Sequence, residues 1–244
     1  MLDGCRRVFI FLVMDIETKI ANTLIQRPAG FTIADRHFYI YPTTLGRIQM
    51  ERDARAALQP DIENMRLNSD MEIARIVAEH PDEASWLIAY ATTEGRECMD
   101  NEKVAERVQF LKDNTKPEDL TTLFLMIVTE GGVTDIQEHF GIDKELKEYR
   151  RICNAKEDKG TYTFCGKSIY GAMIAPLAEK YGWTLDYILW DISFANLQML
   201  MADAPKTVML TEDERKRIHP KQSKDIVKAD DMQNFDAIMN MNWD

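Results

Sequence analysis

One stretch, Gly166 to Asp203, constrains the fold of this chain more than any other: GKSIYGAMIAPLAEKYGWTLDYILWDISFANLQMLMAD. It is the most apolar and aromatic part of the sequence. It holds two of the four tryptophans (Trp183, Trp190) and three tyrosines (Tyr170, Tyr181, Tyr187). Ile169, Met173, Ile174, Leu177 and Tyr181 recur at spacings of three and four, which makes one apolar stripe on a helix. Pro176 should kink or divide that helix, because proline lacks a donor and clashes with the preceding turn. Gly182 should stop it in a left-handed conformation. Thr184 is a good N-cap for a second helix, with Asp186 favourable in its first turn. Leu185, Ile188 and Leu189 would share its inner face. Ser193 should cap a third helix that turns Phe194, Leu197, Leu200 and Met201 inward. Large aromatic side chains each remove ~150–250 Å² from water. The stretch is therefore expected to be the densest part of the core.

The remaining 206 residues of the 244 read as a helical frame around it. The clearest strand signal is FTIADRHFYIY at 31–41: Phe31 and Ile33 alternate with polar residues, and so do Phe38 and Ile40. Ala34-Asp35-Arg36 lies between them as a turn, predicting a β-hairpin. Pro42 ends it, and Thr43 or Thr44 caps the next helix. Helices are expected from Leu45 to near Pro60, from Ile62 to Ala78, and from Pro81 through Tyr90. More are expected from Val104 to Leu111, from Pro117 through Val128, from Thr134 to Phe140 and from Ile142 to Ala155. The charges of the last are read as a solvated face. Thr211 with Glu214 three residues on matches a capping box. Val208 to Leu210 reads as a brief strand. The fold class expected is mainly α: a multi-helix globular domain with a small N-terminal β-hairpin. That domain would span 14–218, with a polar hinge at 156–160. Residues 219–244 form an acidic, mobile C-terminal tail in which Met232, Phe235 and Met239 make an apolar stripe. Residues 1–13 mimic the start of a signal peptide but lack a small-residue cleavage site. Translation starting at Met14 is the expectation, and intact-mass measurement of the natural product would test it.

Net charge is −11, with a pI near 4.9. Phosphate backbones and anionic membrane surfaces would be repelled by the average surface. The partners expected therefore include neither nucleic acid nor membrane. The apolar run Val8 to Met14 is far short of the ~20 residues that span a bilayer. The four cysteines are spread out, with no C-x-x-C pair, so reduced thiols in the cytoplasm are expected.

Candidate chemistry is sparse. Gly166-Lys167-Ser168 invites a phosphate-loop reading, but the preceding glycine, Gly160, lies one residue too far upstream. A charged run also stands where a hydrophobic strand should be. The favoured reading is a turn with Ser168 near a helix start. Asp186 is read as helix-start charge and Asp191 as a cap of the next helix. Glu63–Arg66 and Glu72–Arg75 are read as surface pairs. No histidine lies next to a plausible nucleophile, and His37 reads as a half-exposed strand residue. No catalytic residue, metal ligand or cofactor is assigned, and the chain is read as not an enzyme.

A family resemblance supplies a function. The segment LAEKYGWTLDYILWDISFANLQMLMAD, from Leu177, resembles part of the tail assembly chaperones of tailed bacteriophages and prophages. FTIADRHFYIYPTTLGRI resembles the start of some of them. Together the two cover about 60 of 244 residues, and the helices between match in character only. The resemblance implies a non-enzymatic protein in the cytoplasm of the bacterial host. It would hold a tail tape-measure protein soluble while tail tube subunits assemble around it. It implies a contact surface from Trp183, Tyr187, Trp190, Phe194, Met199 and Met201, or from Met232, Phe235 and Met239. Two other classes remain. A structural virion or head–tail connector component would form a defined ring. A nucleotide-binding enzyme using Gly166-Lys167-Ser168 would release heat with ATP or GTP and magnesium.

Overall fold

A computed structural model describes residues 15–130, 132–156 and 168–218. The fold is mainly α, with one small antiparallel hairpin near its start. The described residues group into two compact units, one of residues 15–140 and 168–203, the other of 141–156 and 204–218. The N-terminal extension, Met14, the glycine and lysine of the phosphate-loop reading, most of the 156–160 hinge and the tail from 219 lie outside the described residues.

The first unit opens with α1 (Ile16–Leu24), capped by Asp15, whose carboxylate accepts from Thr18 N at 2.8 Å. The hairpin comes next as β1 (Ala29–Ile33) and β2 (Arg36–Ile40), pairing Phe31 with Phe38 and Ile33 with Arg36. Ala34 and Asp35 form its two-residue turn, both left-handed (φ 45° and 62°). That is the backbone a right-twisted hairpin asks of its turn. Phe31 and Phe38 stack at 5.6 Å, and Phe38 meets Phe110 at 5.4 Å. Those rings seat the hairpin on α7 (Asn101–Asn114).

Between them run α2 (Leu45–Met50), α3 (Arg52–Ala57), α4 (Ile62–Leu67), α5 (Ser69–Glu79) and α6 (Pro81–Ala91), then a 3-10 turn at Gly95–Met99. After α7 come α8 (Pro117–Glu130) and α9 (Thr134–His139). The main core lies among the hairpin and α5–α8. Ile73, Ile76 and Val77 face inward from α5; Val104, Val108 and Leu111 from α7; Leu120, Leu123, Phe124 and Ile127 from α8. Helix α6 is buried along Ala84, Leu87, Ile88, Ala89 and Ala91, as befits the central helix. Burying one such Leu or Ile is worth about 1.5–3 kcal/mol.

Two long helices expected from the sequence are each divided. The first breaks at Glu51, between α2 and α3. The second breaks at Asn68, whose extended backbone (φ −155°, ψ 89°) lets its side chain accept from Met71 N and cap α5. The break folds α4 back on α5, so Glu72 receives Asp61 N at 2.9 Å and Arg75 at 2.5 Å. Glu72 is buried, not the surface partner expected.

Glu51 is wholly buried (0% exposed) beside Arg47 (3%). Its Oε2 accepts from Arg55 Nε at 2.8 Å. Arg47 Nε lies 3.1 Å from Glu51 Oε1, an ion-pair distance outside hydrogen-bond geometry. Arg47 Nη1 donates to Tyr41 O at 2.6 Å, and Nη2 to Thr43 Oγ1. Thr44 caps α2 by accepting from Arg47 N. A buried charged group thus ties the exit of the hairpin to α2 and α3.

In the C-terminal part of this unit a π-helical turn (Tyr170–Ile174) runs into α11 (Ala175–Tyr181), followed by α12 (Leu185–Trp190) and α13 (Phe194–Ala202). Pro176 sits in the first turn of α11, where its missing donor costs nothing. This region is not the densest part of the core. It supplies Ile174, Leu177, Ile188, Ile192 and Leu197 to a smaller buried group completed by Leu45. Most of its aromatic residues stay half-buried or exposed, because helices this short bury one narrow stripe each.

The second unit pairs α10 (Ile142–Ala155) with α14 (Glu212–Ile218). The charges of α10 face solvent and pair along it, Lys147 with Asp143 at 3.2 Å and Arg151 with Glu148 at 2.6 Å. The capping box forms: Thr211 N donates to Glu214 Oε2 at 2.7 Å, and Glu214 N to Thr211 Oγ1 at 3.4 Å. Val208 to Leu210 form no strand and pair with no other segment among the described residues.

Candidate contact surface

Local signals build an aromatic ladder at the α11–α12 corner. Gly182 is left-handed (φ 67°) and ends α11, as its position predicts. The chain turns there and brings Trp183 onto Tyr181, with ring centroids 4.7 Å apart and planes 24° from parallel. Thr184 then caps α12 by accepting from Tyr187 N. That start places residue 187 one turn above 183, and Trp183 meets Tyr187 edge-on at 5.1 Å. Tyr187 remains 38% exposed, and Leu185, expected inward, is 49% exposed. Leu185 is first in α12, and Ile188, one turn on, takes the inner position. Lys180 Nζ lies 5.2 Å from the Tyr181 ring, covering one end of the ladder with a cation.

The remaining expected contact residues are placed differently. Trp190 is half-buried, and its indole lies flat on Gly46 of α2. A methyl group on Gly46 would come within 2.6 Å of that ring. Phe194 is half-buried behind a backbone bond from its own N to Thr43 O at 2.6 Å. Met201 packs on the smaller core, and Met199 is half-buried. Ser193 caps α13 through Asn196 N, at 3.2 Å, so the cap expected of Asp191 belongs to Ser193. Trp183 and Tyr187 therefore share one surface; Met232, Phe235 and Met239 lie outside the described residues.

Sequence reasoning did not find a neighbour of this surface. Asn196 Nδ2 donates to Leu24 O at 3.3 Å, and Gln26 Nε2 donates to Asp191 O at 3.2 Å. Ser193 N in turn donates to Gln26 Oε1. These bonds hold the exposed Leu24 and Ile25 at the α12–α13 corner. No local pattern could show it, because the bonds join distant parts of the chain.

The chemistry elsewhere is quiet. Among the described residues no group of three or more His, Cys, Asp or Glu side chains could hold a metal ion. Burial pushes the Cys98 thiol up to about 11, which disfavours the reactive thiolate. The exposed His37 lies 3.2 Å from Thr32 Oγ1 across the hairpin. Ser168 accepts from Gly171 N at 3.5 Å and from Ala172 N through its carbonyl, at a helix start as expected. A groove of about 520 Å³ lies along α5, α6 and the start of α8. Two of its polar side chains are internally engaged: Ser85 donates to Pro81 O at 2.7 Å and Lys112 pairs with Asp82 at 2.7 Å. No helix among the described residues is long and apolar enough to cross a membrane. No protein-family model, curated protein or solved structure matches this chain.

Proposed function

We propose that this chain is a tail assembly chaperone of a bacteriophage or prophage, acting in the cytoplasm of the bacterial host. It binds the tail tape-measure protein and keeps it soluble until tube subunits enclose it. The observation that carries this reading is the partly exposed ladder of Tyr181, Trp183 and Tyr187 beside Leu185. It lies within the segment from Leu177 that resembles such chaperones. Aromatic side chains with one wet edge suit a transient apolar contact. The high net negative charge keeps a protein with such a surface from self-association. The test is co-expression with the tape-measure protein of the same genome. The chaperone reading expects a soluble complex and no copy of this chain in purified virions. A stoichiometric copy in virions would instead make it a structural component.

A further inference from the structure

We infer that α1 is a displaceable strap: it covers one side of α13 and opens as a unit ahead of the main core. The strap stands apart from the chaperone reading and needs no client. Helix α13 (FANLQMLMA) has only Asn196 and Gln198 as polar residues, and none of its residues is exposed. A surface helix keeps one polar face in water, whereas a helix apolar all round has to be covered on more than one side. The smaller core takes Phe194, Leu197, Leu200 and Met201. Another side carries Asn196, which is bonded to the end of α1, and the two helices are in contact there. Met199 lies one turn beyond Asn196 on that side and is not packed on the smaller core.

Helix α1 is held unlike the helices of the main core. None of its residues is fully buried, and Ile16 and Ile20 reach only half-burial. Its long-range bonds are polar. Asn196 Nδ2 donates to Leu24 O at 3.3 Å, Gln26 Nε2 to Asp191 O at 3.2 Å, and Ser193 N to Gln26 Oε1. Toward its start, Lys19 pairs with Asp135 of α9 at 2.7 Å, both partly exposed. Water replaces such bonds at little net loss, and it screens such a pair. Gln26 is also left-handed (φ 55°), a conformation that side chains disfavour. Opening therefore breaks polar ties and relieves one strained residue. Lifting α7 would instead expose Val104, Val108 and Leu111. A segment held in this way opens at the low-stability end of a fold. The closed form hides the Asn196–Met199 side of α13, and the open form presents it.

The test is hydrogen exchange of the full chain under native conditions, read by mass spectrometry on peptides from α1 and α7. In the parent, α1 amides should exchange about a hundredfold or more faster than those of α7. Gln26→Ala with Asn196→Ala removes the three hydrogen bonds of the latch. It should speed α1 by about a further tenfold or more while α7 stays unchanged. Met199 gives a second readout. Hydrogen peroxide should oxidise it to the sulfoxide about threefold or more faster in the variant, with Met201 as the unmoved reference. Exchange of α1 in step with α7 in the parent would overturn the inference. So would an unchanged Met199 rate in a variant whose α1 exchange has quickened.

Discussion

The α5–α8 core and the α11–α13 region both carry many apolar side chains and use them differently. In α5–α8 the apolar residues are mainly aliphatic and fall at three- and four-residue spacings on helices of eleven to fourteen residues. Each helix can bury a full stripe. In α11–α13 the helices are six to nine residues long, and aromatic and methionine residues make up a larger share of the apolar ones. A short helix fully buries one or two side chains, here Leu177, Ile188 and Leu197, and leaves others such as Tyr181, Leu189 and Phe194 only partly buried against the same core. Apolar content thus measures what a segment can contact. Helix length and periodicity decide whether that contact is with its own chain.

The largest effect should come at the buried charges that tie the exit of the hairpin to α2 and α3. Glu51→Ala leaves Arg47 buried without its counter-charge and should cost about 3–5 kcal/mol in urea unfolding. A loss under 1 kcal/mol would mean that water reaches the pair. Next is the contact between α2 and Trp190 of α12. Gly46→Ala should cost about 1–3 kcal/mol, because the Trp190 ring has no room to retreat without losing its packing. It should also shift tryptophan fluorescence, and an unchanged spectrum would remove Trp190 from its structural role.

A smaller change should go the other way. Ala34→Gly relieves a left-handed alanine in the hairpin turn and should raise stability by up to about 1 kcal/mol. A thermal melt would read it as a few degrees. Smallest of all should be Tyr187→Ser, at the exposed end of the ladder. It should move the unfolding midpoint by no more than about 0.5 kcal/mol while weakening client capture. At low pH the first region should fail at Glu72. The Arg75 guanidinium and the Asp61 N–H hold that carboxyl down at about 2. A group depressed on folding stabilises the fold above its unfolded value near 4.5 and loses that contribution as pH falls toward 2. Glu72→Gln should flatten that part of the acid-unfolding profile, and an unaltered profile would shift the acid sensitivity elsewhere.

What was legible in the sequence was local. The hairpin, the caps Thr44, Thr184 and Ser193, the stop at Gly182, the start at Pro176 and the Thr211–Glu214 box each depend on residues within a few positions. The break at Asn68 was missed: Asn-Ser-Asp is a cap signal, but it lies in the middle of the apolar periodicity that gave one helix from Ile62 to Ala78. The burial of Glu51 and Glu72 was not legible, since their arginine spacing is that of an ordinary solvated helix pair. Nor was the split among the aromatic residues. Trp190 is half-buried against Gly46, far away in sequence, and Trp183 is half-buried against the smaller core, while Tyr187 stays exposed.

The central claim is that the exposed edge of the ladder, Leu185 and Tyr187, binds a client and carries little of the fold. The most direct measurement is the yield of tape-measure protein that co-purifies with the Leu185→Ser/Tyr187→Ser variant, set against the variant's own unfolding midpoint. The account predicts that the client is lost and falls out of solution while the midpoint stays within about 1 kcal/mol of the parent. Full client recovery by a stably folded variant would contradict it.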